Sequence, residues 1–312
     1  MTRPVQVALL GECMIELQGP AFGTLTQGFG GDTLNTAVYL ARSGGAAFEV
    51  HYATALGDDG LSQGMLDRWQ AENIRTDLVQ RLPGRVPGLY MIELDDSGER
   101  RFVYWRDSAA ARAYFDASMT PLETQAANWD ALYLSGISLA ILPPAARERV
   151  FALMQQLRAR GAAVIFDNNY RPRLWPDVAV ARDVFARAFE LATCALITAD
   201  DHQLLMGLPT LEAAVAAAQA LRCPELVIKR GASPTLVRAA GSTSWQEAAT
   251  EPVPRVVDTT AAGDSFAAGY LSRRLAGADA VEAARFGNRL AGRVIQHRGA
   301  LIPREVMRDL MA

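Results

Sequence analysis

Along the chain, short apolar runs stop abruptly at Gly, Asp, Asn or Thr. They alternate with longer stretches in which apolar residues recur at three- and four-residue spacing. Residues 5–10 form the first such run, ending at Gly11, and residues 50–56, 131–134, 164–166, 196–197 and 226–228 form others. A short continuous apolar run reads as a strand buried on both faces. Residues 32–41, 61–69, 145–157 and 211–221 carry helical spacing; in 145–157 it is set by Val150, Met154 and Leu157. Residues 263–274 and 278–296 read as two consecutive helices. Strand alternating with helix predicts an α/β fold, a mostly parallel sheet covered on both faces.

One segment breaks this rhythm. Residues 88–94, the turn residues Asp95, Asp96, Ser97 and Gly98, and residues 101–106 read as strand, turn, strand. Residues 14–17 supply a further strand to the same small sheet. Ligands of open α/β sheets bind beyond the carboxyl ends of the parallel strands, so a small sheet there would serve as a lid. The plainer alternative is a surface excursion with no role. With no internal repeat and no low-complexity linker, residues 1–312 read as one domain, its lid formed by about 12–30 and 86–108.

Composition narrows the function classes. The 312 residues are 50% hydrophobic and 21% charged, with a formal net charge of -3. These values argue for a folded chain, and without a basic stripe a nucleic-acid partner is disfavoured. Cys13, Cys194 and Cys223 are scattered, as are His51, His202 and His297, so neither a zinc site nor a disulfide framework is expected. No apolar stretch approaches a membrane span, and residues 5–10 are too short for a signal-peptide core. The expectation is a cytoplasmic protein with no membrane partner.

The stretch that carries chemistry is residues 258–269, Asp-Thr-Thr-Ala-Ala-Gly-Asp-Ser-Phe-Ala-Ala-Gly. Small residues stand where an apolar helix begins. Backbone N–H groups there are unpaired and carry the positive end of the helix dipole. Ala261, Ala262 and Gly263 would thus form an anion hole for a phosphate. A carboxylate beside such a hole, Asp264, is a poor anion binder but a sensible base for an attacking hydroxyl. Alternatively, Asp264 only favours the helix start electrostatically. An aspartate with an ordinary pKa near 4 is a weak base, so proton transfer is expected late.

This stretch resembles the second signature of the ribokinase-type (PfkB) carbohydrate kinases. Residues 30–37, Gly-Gly-Asp-Thr-Leu-Asn-Thr-Ala, resemble the first signature. The order of elements fits along nearly the whole chain. The resemblance implies a Rossmann-like three-layer α/β/α sandwich with a small β lid, and phosphoryl transfer from MgATP to an alcohol. It implies Asp264 as base, and Ala261, Ala262 and Gly263 as anion hole. Lys229 and Gly231, in a Lys-Arg-Gly turn after a strand, would meet the nucleotide, and Asn288 would lie near the adenine. Many members carry Asn-x-x-Glu near magnesium; here Thr198-Ala199-Asp200-Asp201 stands instead. Thr198 would then replace the amide, and Asp201 would hold Mg2+ through water. Asp258 and Thr260 match two positions of a monovalent-cation site, which makes potassium a candidate.

Arginines near the cleft suggest an acidic acceptor, because a guanidinium meets a carboxylate with two parallel hydrogen bonds. Arg106 ends the hairpin, and Arg171 and Arg173 follow a core strand. Arg106 and Arg171 are the candidates for a substrate carboxylate; Arg173 reads as forming a surface ion pair or binding ATP phosphates. Residues 11–17, 28–35, 87–90, 166–175 and 299–305 resemble the branch of the family that phosphorylates a keto-deoxy sugar acid at C6. In that branch, residues matching Gly31, Tyr90, Tyr104, Arg106 and Arg171 line the acid pocket. Asn35 would contact a sugar hydroxyl or only shape the helix start. The open alternatives are a kinase of a neutral sugar and a non-catalytic sugar-acid sensor. Unpaired lid edges would favour a homo-oligomer.

Overall fold

The structure, a computed structural model, describes residues 3–94 and 100–311. The expected turn at 95–98 lies outside the described residues. In chain order the strands are β1 (Val5–Leu10), β2 (Met14–Gln18), β3 (Thr26–Gly30), β4 (Phe48–Leu56), β5 (Ile74–Arg75), β6 (Val79–Arg81), β7 (Leu89–Leu94) and β8 (Arg100–Trp105). Then follow β9 (Ala131–Ser135), β10 (Ala163–Asp167), β11 (Cys194–Thr198), β12 (Glu225–Arg230), β13 (Ser233–Arg238) and β14 (Gln246–Ala248).

The large sheet runs β14-β13-β12-β11-β10-β9-β1-β4-β5, with β6 also on β4. From β4 to β12 every neighbouring pair is parallel. Alternation along each strand sends residues to opposite faces. Ala8, Leu132, Val164 and Leu226 join one core, and Val7, Ala131, Ile165 and Val227 the other. Helices cover both faces, which makes the three layers. One face carries Asp32–Gly44, Ala262–Arg274 and Ala280–Val294; the other carries Pro144–Ala159 and Val178–Leu191.

The periodic stretches of sequence fold as helices, each within a few residues of its expected ends. Asp59 starts Gly60–Ala71 by accepting from the N–H groups of Leu61 and Ser62, both at 2.9 Å. Asp279 does the same for Ala280–Val294. The expected hairpin is present as β7 and β8, antiparallel to each other. It joins a second sheet of order β3-β2-β7-β8, in which β2 meets β7 in parallel. This small sheet has only a thin apolar cluster, Met14, Tyr90 and Ile92, with Phe102 packed against it.

Strand order reverses between β1 and β9, since β4 lies on one side of β1 and β9 on the other. A crevice forms beyond the carboxyl ends at such a point. Around it stand Glu12 just past β1, Ser135 at the end of β9, Asp167 at the end of β10, Thr198 at the end of β11 and Lys229 near the end of β12.

Candidate active site

Asp264 lies in the first turn of Ala262–Arg274, whose start has no side-chain cap. Ala261, just before it, takes a left-handed conformation, φ 60° and ψ 16°. That geometry is uncommon outside glycine and costs an L-residue roughly 1–2 kcal/mol. It turns the chain so that the following backbone enters the helix facing the cleft. The cleft has a volume of about 380 Å3 and reaches from Ala261 and Asp264 to Asn35, Arg171 and the small sheet's Tyr90 and Tyr104.

Asp264 is held from the neighbouring helix. Its Oδ2 accepts from Asn35 Nδ2 at 2.8 Å, and its backbone carbonyl accepts from Thr36 Oγ1 at 3.2 Å. The other amide atom, Asn35 Oδ1, is buried and has no partner among the described residues. Burial, then the Asp32 charge, pushes the Asp264 carboxyl up to about 7, with Asp167 adding to the rise; Asn35 and Lys229 pull the other way. This corrects the expectation of an ordinary pKa near 4. The carboxylate is a stronger base than the sequence suggested, poised near neutral pH.

The groups that raise it were not singled out from sequence. Asp32 accepts from Ser135 Oγ at 2.5 Å and from Asn169 Nδ2 at 2.6 Å. Asp167 pairs with Lys229 Nζ at 2.8 Å. Lys229 is nearly buried, and a Cβ built on Gly263 would stand 3.5 Å from its Nζ. The residue expected to meet the nucleotide is thus a cation beside the start of Ala262–Arg274. Strand-end positions were the available signal for Asp167, and the first-signature match for Asp32.

Both arginines chosen for a substrate carboxylate already have protein partners. Arg171 Nη1 donates to both Asp201 oxygens, at 3.1 and 3.2 Å, and to the Tyr170 carbonyl at 2.7 Å. Arg106 is buried and paired with Glu12 through Nη2. Tyr90 donates its hydroxyl to Glu16 and lies 5.9 Å, ring centre to ring centre, from Tyr104, which is 45% exposed. At Gly31 a Cβ would come within 2.1 Å of the Glu12 carbonyl, so only glycine permits this close approach.

Thr198 is locked to Asn168 by two hydrogen bonds, of 2.9 and 3.0 Å. Asp201 faces the cleft in the helix Ala199–Met206, but among the described residues no cluster of three or more His, Cys, Asp or Glu side chains could hold a metal. Asp258 accepts from the Thr260 N–H and hydroxyl through Oδ1 and from the Gly299 N–H, at 2.7 Å, through Oδ2. Gly231 and Asn288 are not among the residues lining the cleft. Gly231 makes the left-handed turn (φ 60°) between β12 and β13. Asn288 bonds Thr235 and the carbonyls of Ala248 and Ala249, tying the edge hairpin to its helix.

A buried carboxylate next to an uncapped helix start, facing a small sheet on an α/β body, suits phosphoryl transfer to a small alcohol. The chain belongs to the family described as pfkB family carbohydrate kinase, whose pattern matches residues 5–307. It is 49% identical over 305 residues to the 2-dehydro-3-deoxygluconokinase of Escherichia coli (strain K12), covering 97% of this chain and 98% of that one. It is 40% identical over 311 residues to the enzyme of the same name from Haemophilus influenzae, covering 98% of each. Among solved structures it resembles a PfkB protein from Polaromonas sp. JS666, with a TM-score of 0.80 and 27% identity over 94% of this chain and 96% of that one.

Proposed function

We propose that this chain transfers the γ-phosphoryl group of MgATP to the C6 hydroxyl of 2-dehydro-3-deoxy-D-gluconate, giving 2-dehydro-3-deoxy-6-phosphogluconate and ADP. The observation that carries the reading is the buried Asp264 carboxyl, held by Asn35 at the uncapped start of Ala262–Arg274. The acceptor is supported by the relatives named 2-dehydro-3-deoxygluconokinase, similar over nearly the full chain.

The helix start fits an anionic phosphate, because no side chain caps it and the buried Lys229 stands beside it. When bound, MgATP supplies the phosphoryl group and a cation that offsets its charge. Ala261, Ala262 and Gly263 receive anionic oxygens on backbone N–H groups, and Lys229 adds a fixed positive charge. Thr198 and Gly231 flank the nucleotide, and Asn288 shapes its outer wall by holding the β13–β14 hairpin. Asp201, which lines the cleft, would hold Mg2+ through water. Asp258 and Thr260, which fasten their loop to Gly299, would carry a potassium ion.

Asp264 accepts the C6 hydroxyl proton while Asn35 fixes its carboxylate and offers Oδ1 to a sugar hydroxyl. Arg106 and Arg171 hold the sugar carboxylate, Tyr90 and Tyr104 pack on the sugar, and Gly31 lets it approach the backbone. The small sheet acts as the lid. A neutral-sugar acceptor is the second reading, favoured by the carboxylate partners both arginines already have. A non-catalytic sensor would have no use for the Asp264 base.

Release of ADP by the purified protein with MgATP separates these readings. Turnover on 2-keto-3-deoxygluconate and not on fructose, ribose or gluconate is the expected result. Turnover on a neutral sugar alone would keep the kinase and remove the carboxylate pocket; no turnover would favour another acidic sugar or the sensor. A cytoplasmic location fits an enzyme that draws on ATP. Exposed Val86 and Trp105 beside the lid, with its unpaired β3 and β8 edges, favour a homo-oligomer, which light scattering would measure.

A further inference from the structure

The four crossings between body and lid sit close together. Glu12 lies between β1 and β2, Gly31 follows β3, Gly88 precedes β7, and Arg106 follows β8. In the lid β2 and β8 are not neighbours, because β7 separates them. The Glu12–Arg106 pair nevertheless joins their roots, and it passes over Gly88. A Cβ on Gly88 would stand 2.7 Å from Glu12 Oε1, 2.9 Å from Met14 Cγ and 3.2 Å from Arg106 Cβ. The absence of a side chain at Gly88 therefore makes room for the pair.

Both partners are buried, with side-chain exposures of 8% for Arg106 and 1% for Glu12. Glu12 gives Arg106 its hydrogen-bonded counter-charge among the described residues. A buried guanidinium without one is costly. The pair uses Nη2 and leaves Arg106 Nε buried with no partner. The Arg106 guanidinium carbon also sits 5.9 Å from the centre of the Tyr104 ring. The group is thus fixed on one side and unsatisfied on another, in a hollow shared by Glu12, Arg106, Asp32 and Arg171.

We propose that Glu12 is the positioning residue for Arg106: across the Gly88 gap it anchors the guanidinium through Nη2, so that its remaining Nη N–H groups are presented to the carboxylate of the sugar acid. This rests on Arg106 binding that carboxylate, as proposed above. Glu12 itself need not touch the substrate; it removes the freedom Arg106 would otherwise lose on binding.

The test is steady-state kinetics with 2-keto-3-deoxygluconate, together with calorimetric binding of that acid in the absence of ATP. Glu12→Ala is expected to raise both the KM and the Kd for the sugar acid by about tenfold or more, with kcat and the KM for ATP within about threefold. Glu12→Gln keeps an oxygen for Nη2 and is expected to recover most of that loss. Adding Glu12→Ala to Arg106→Ala is expected to weaken binding no further, because the anchor has nothing left to hold. Gly88→Ala, which displaces the Glu12 carboxylate without removing either charge, is expected to shift KM in the same direction. That variant also keeps the test open if Glu12→Ala does not fold. A lower melting temperature with unchanged sugar-acid Kd in Glu12→Ala or Gly88→Ala overturns the positioning role while leaving the acceptor reading intact. Unchanged Kd in Arg106→Ala overturns the acceptor's carboxylate contact, and this inference with it.

Discussion

The body side of the cleft and the lid side hold their polar groups in different ways. On the body side, Asp264, Asn35, Lys229 and Asp167 project from helix starts and strand ends of a ten-stranded sheet with a core on each face. On the lid side, Tyr90, Tyr104 and Arg106 rest on four strands over a thin apolar cluster, and Glu16 and Glu12 hold two of them by direct pairing. Under the roles proposed above, the groups that meet the reacting atoms stand on the rigid element, while Tyr90, Tyr104 and Arg106 would recognise the acceptor from the less supported one, with Arg171 and Asn35 reaching it from the body. This division favours alignment at the chemical centre and leaves recognition free to open and close.

If the division holds, body substitutions should act on kcat and lid or rim substitutions on KM. The largest effect is expected for Asp264→Asn, a loss of roughly a thousandfold in kcat with the sugar-acid KM within a few fold, measured by coupled ADP release. A large KM change instead would break the comparison on the body side. Arg171→Ala should raise the sugar-acid KM by about ten- to a hundredfold with little change in kcat. An equal loss on a neutral sugar would make Arg171 a structural residue held by Asp201. With the Asp264 carboxyl pushed up to about 7, the base is progressively protonated as pH falls. The rate should therefore fall about tenfold per pH unit well below that value and level off above it, as a pH–rate profile would show. Tyr90→Phe removes the bond to Glu16 and should raise the sugar-acid KM by only about three- to fivefold.

The smallest effect concerns stability. Between its ordinary range and about 7 the folded state binds a proton at Asp264 that the unfolded chain has released, so this group's contribution to stability falls as pH rises through that window. Asp264→Asn removes the liability. Its melting temperature should exceed the wild type's by a few degrees at pH 8 and by less at pH 5, by scanning calorimetry.

Much of this was legible in the sequence because it is local. The runs at 131–134 and 164–166 are buried strands, and the helices and the β7–β8 hairpin follow their periodicity. The Ala-Ala-Gly-Asp stretch sits at a helix start, where its chemistry requires it. What was hidden depends on distant parts of the chain. β3 reads Thr-Gln-Gly-Phe-Gly, two glycines in five residues, and becomes a strand only by lying antiparallel to β2. β5 and β6 are too short to signal themselves, and β13 and β14 pair at an edge. The partners of the chosen residues were equally hidden: Glu12 meets Arg106 across 94 positions and Asp167 meets Lys229 across 62. The raised pKa of Asp264 follows from burial and from the nearness of Asp32 and Asp167, a proximity that neither signature encodes.

The parallel pairing of β2 with β7 bears on how the molecule assembles. Ile15 aligns with Leu89 and Gln18 with Ile92, so the lid's central seam joins segments more than seventy residues apart. No local turn can nucleate such a seam, since parallel strands need a long connection and loop closure must precede any gain. The β2–β3 and β7–β8 pairs are each antiparallel and local, and they join only through the long-range β2–β7 seam. A chain emerging from the ribosome cannot complete the small sheet until residue 105 is free. On heating, hydrogen exchange should find this seam opening before the sheet beneath it.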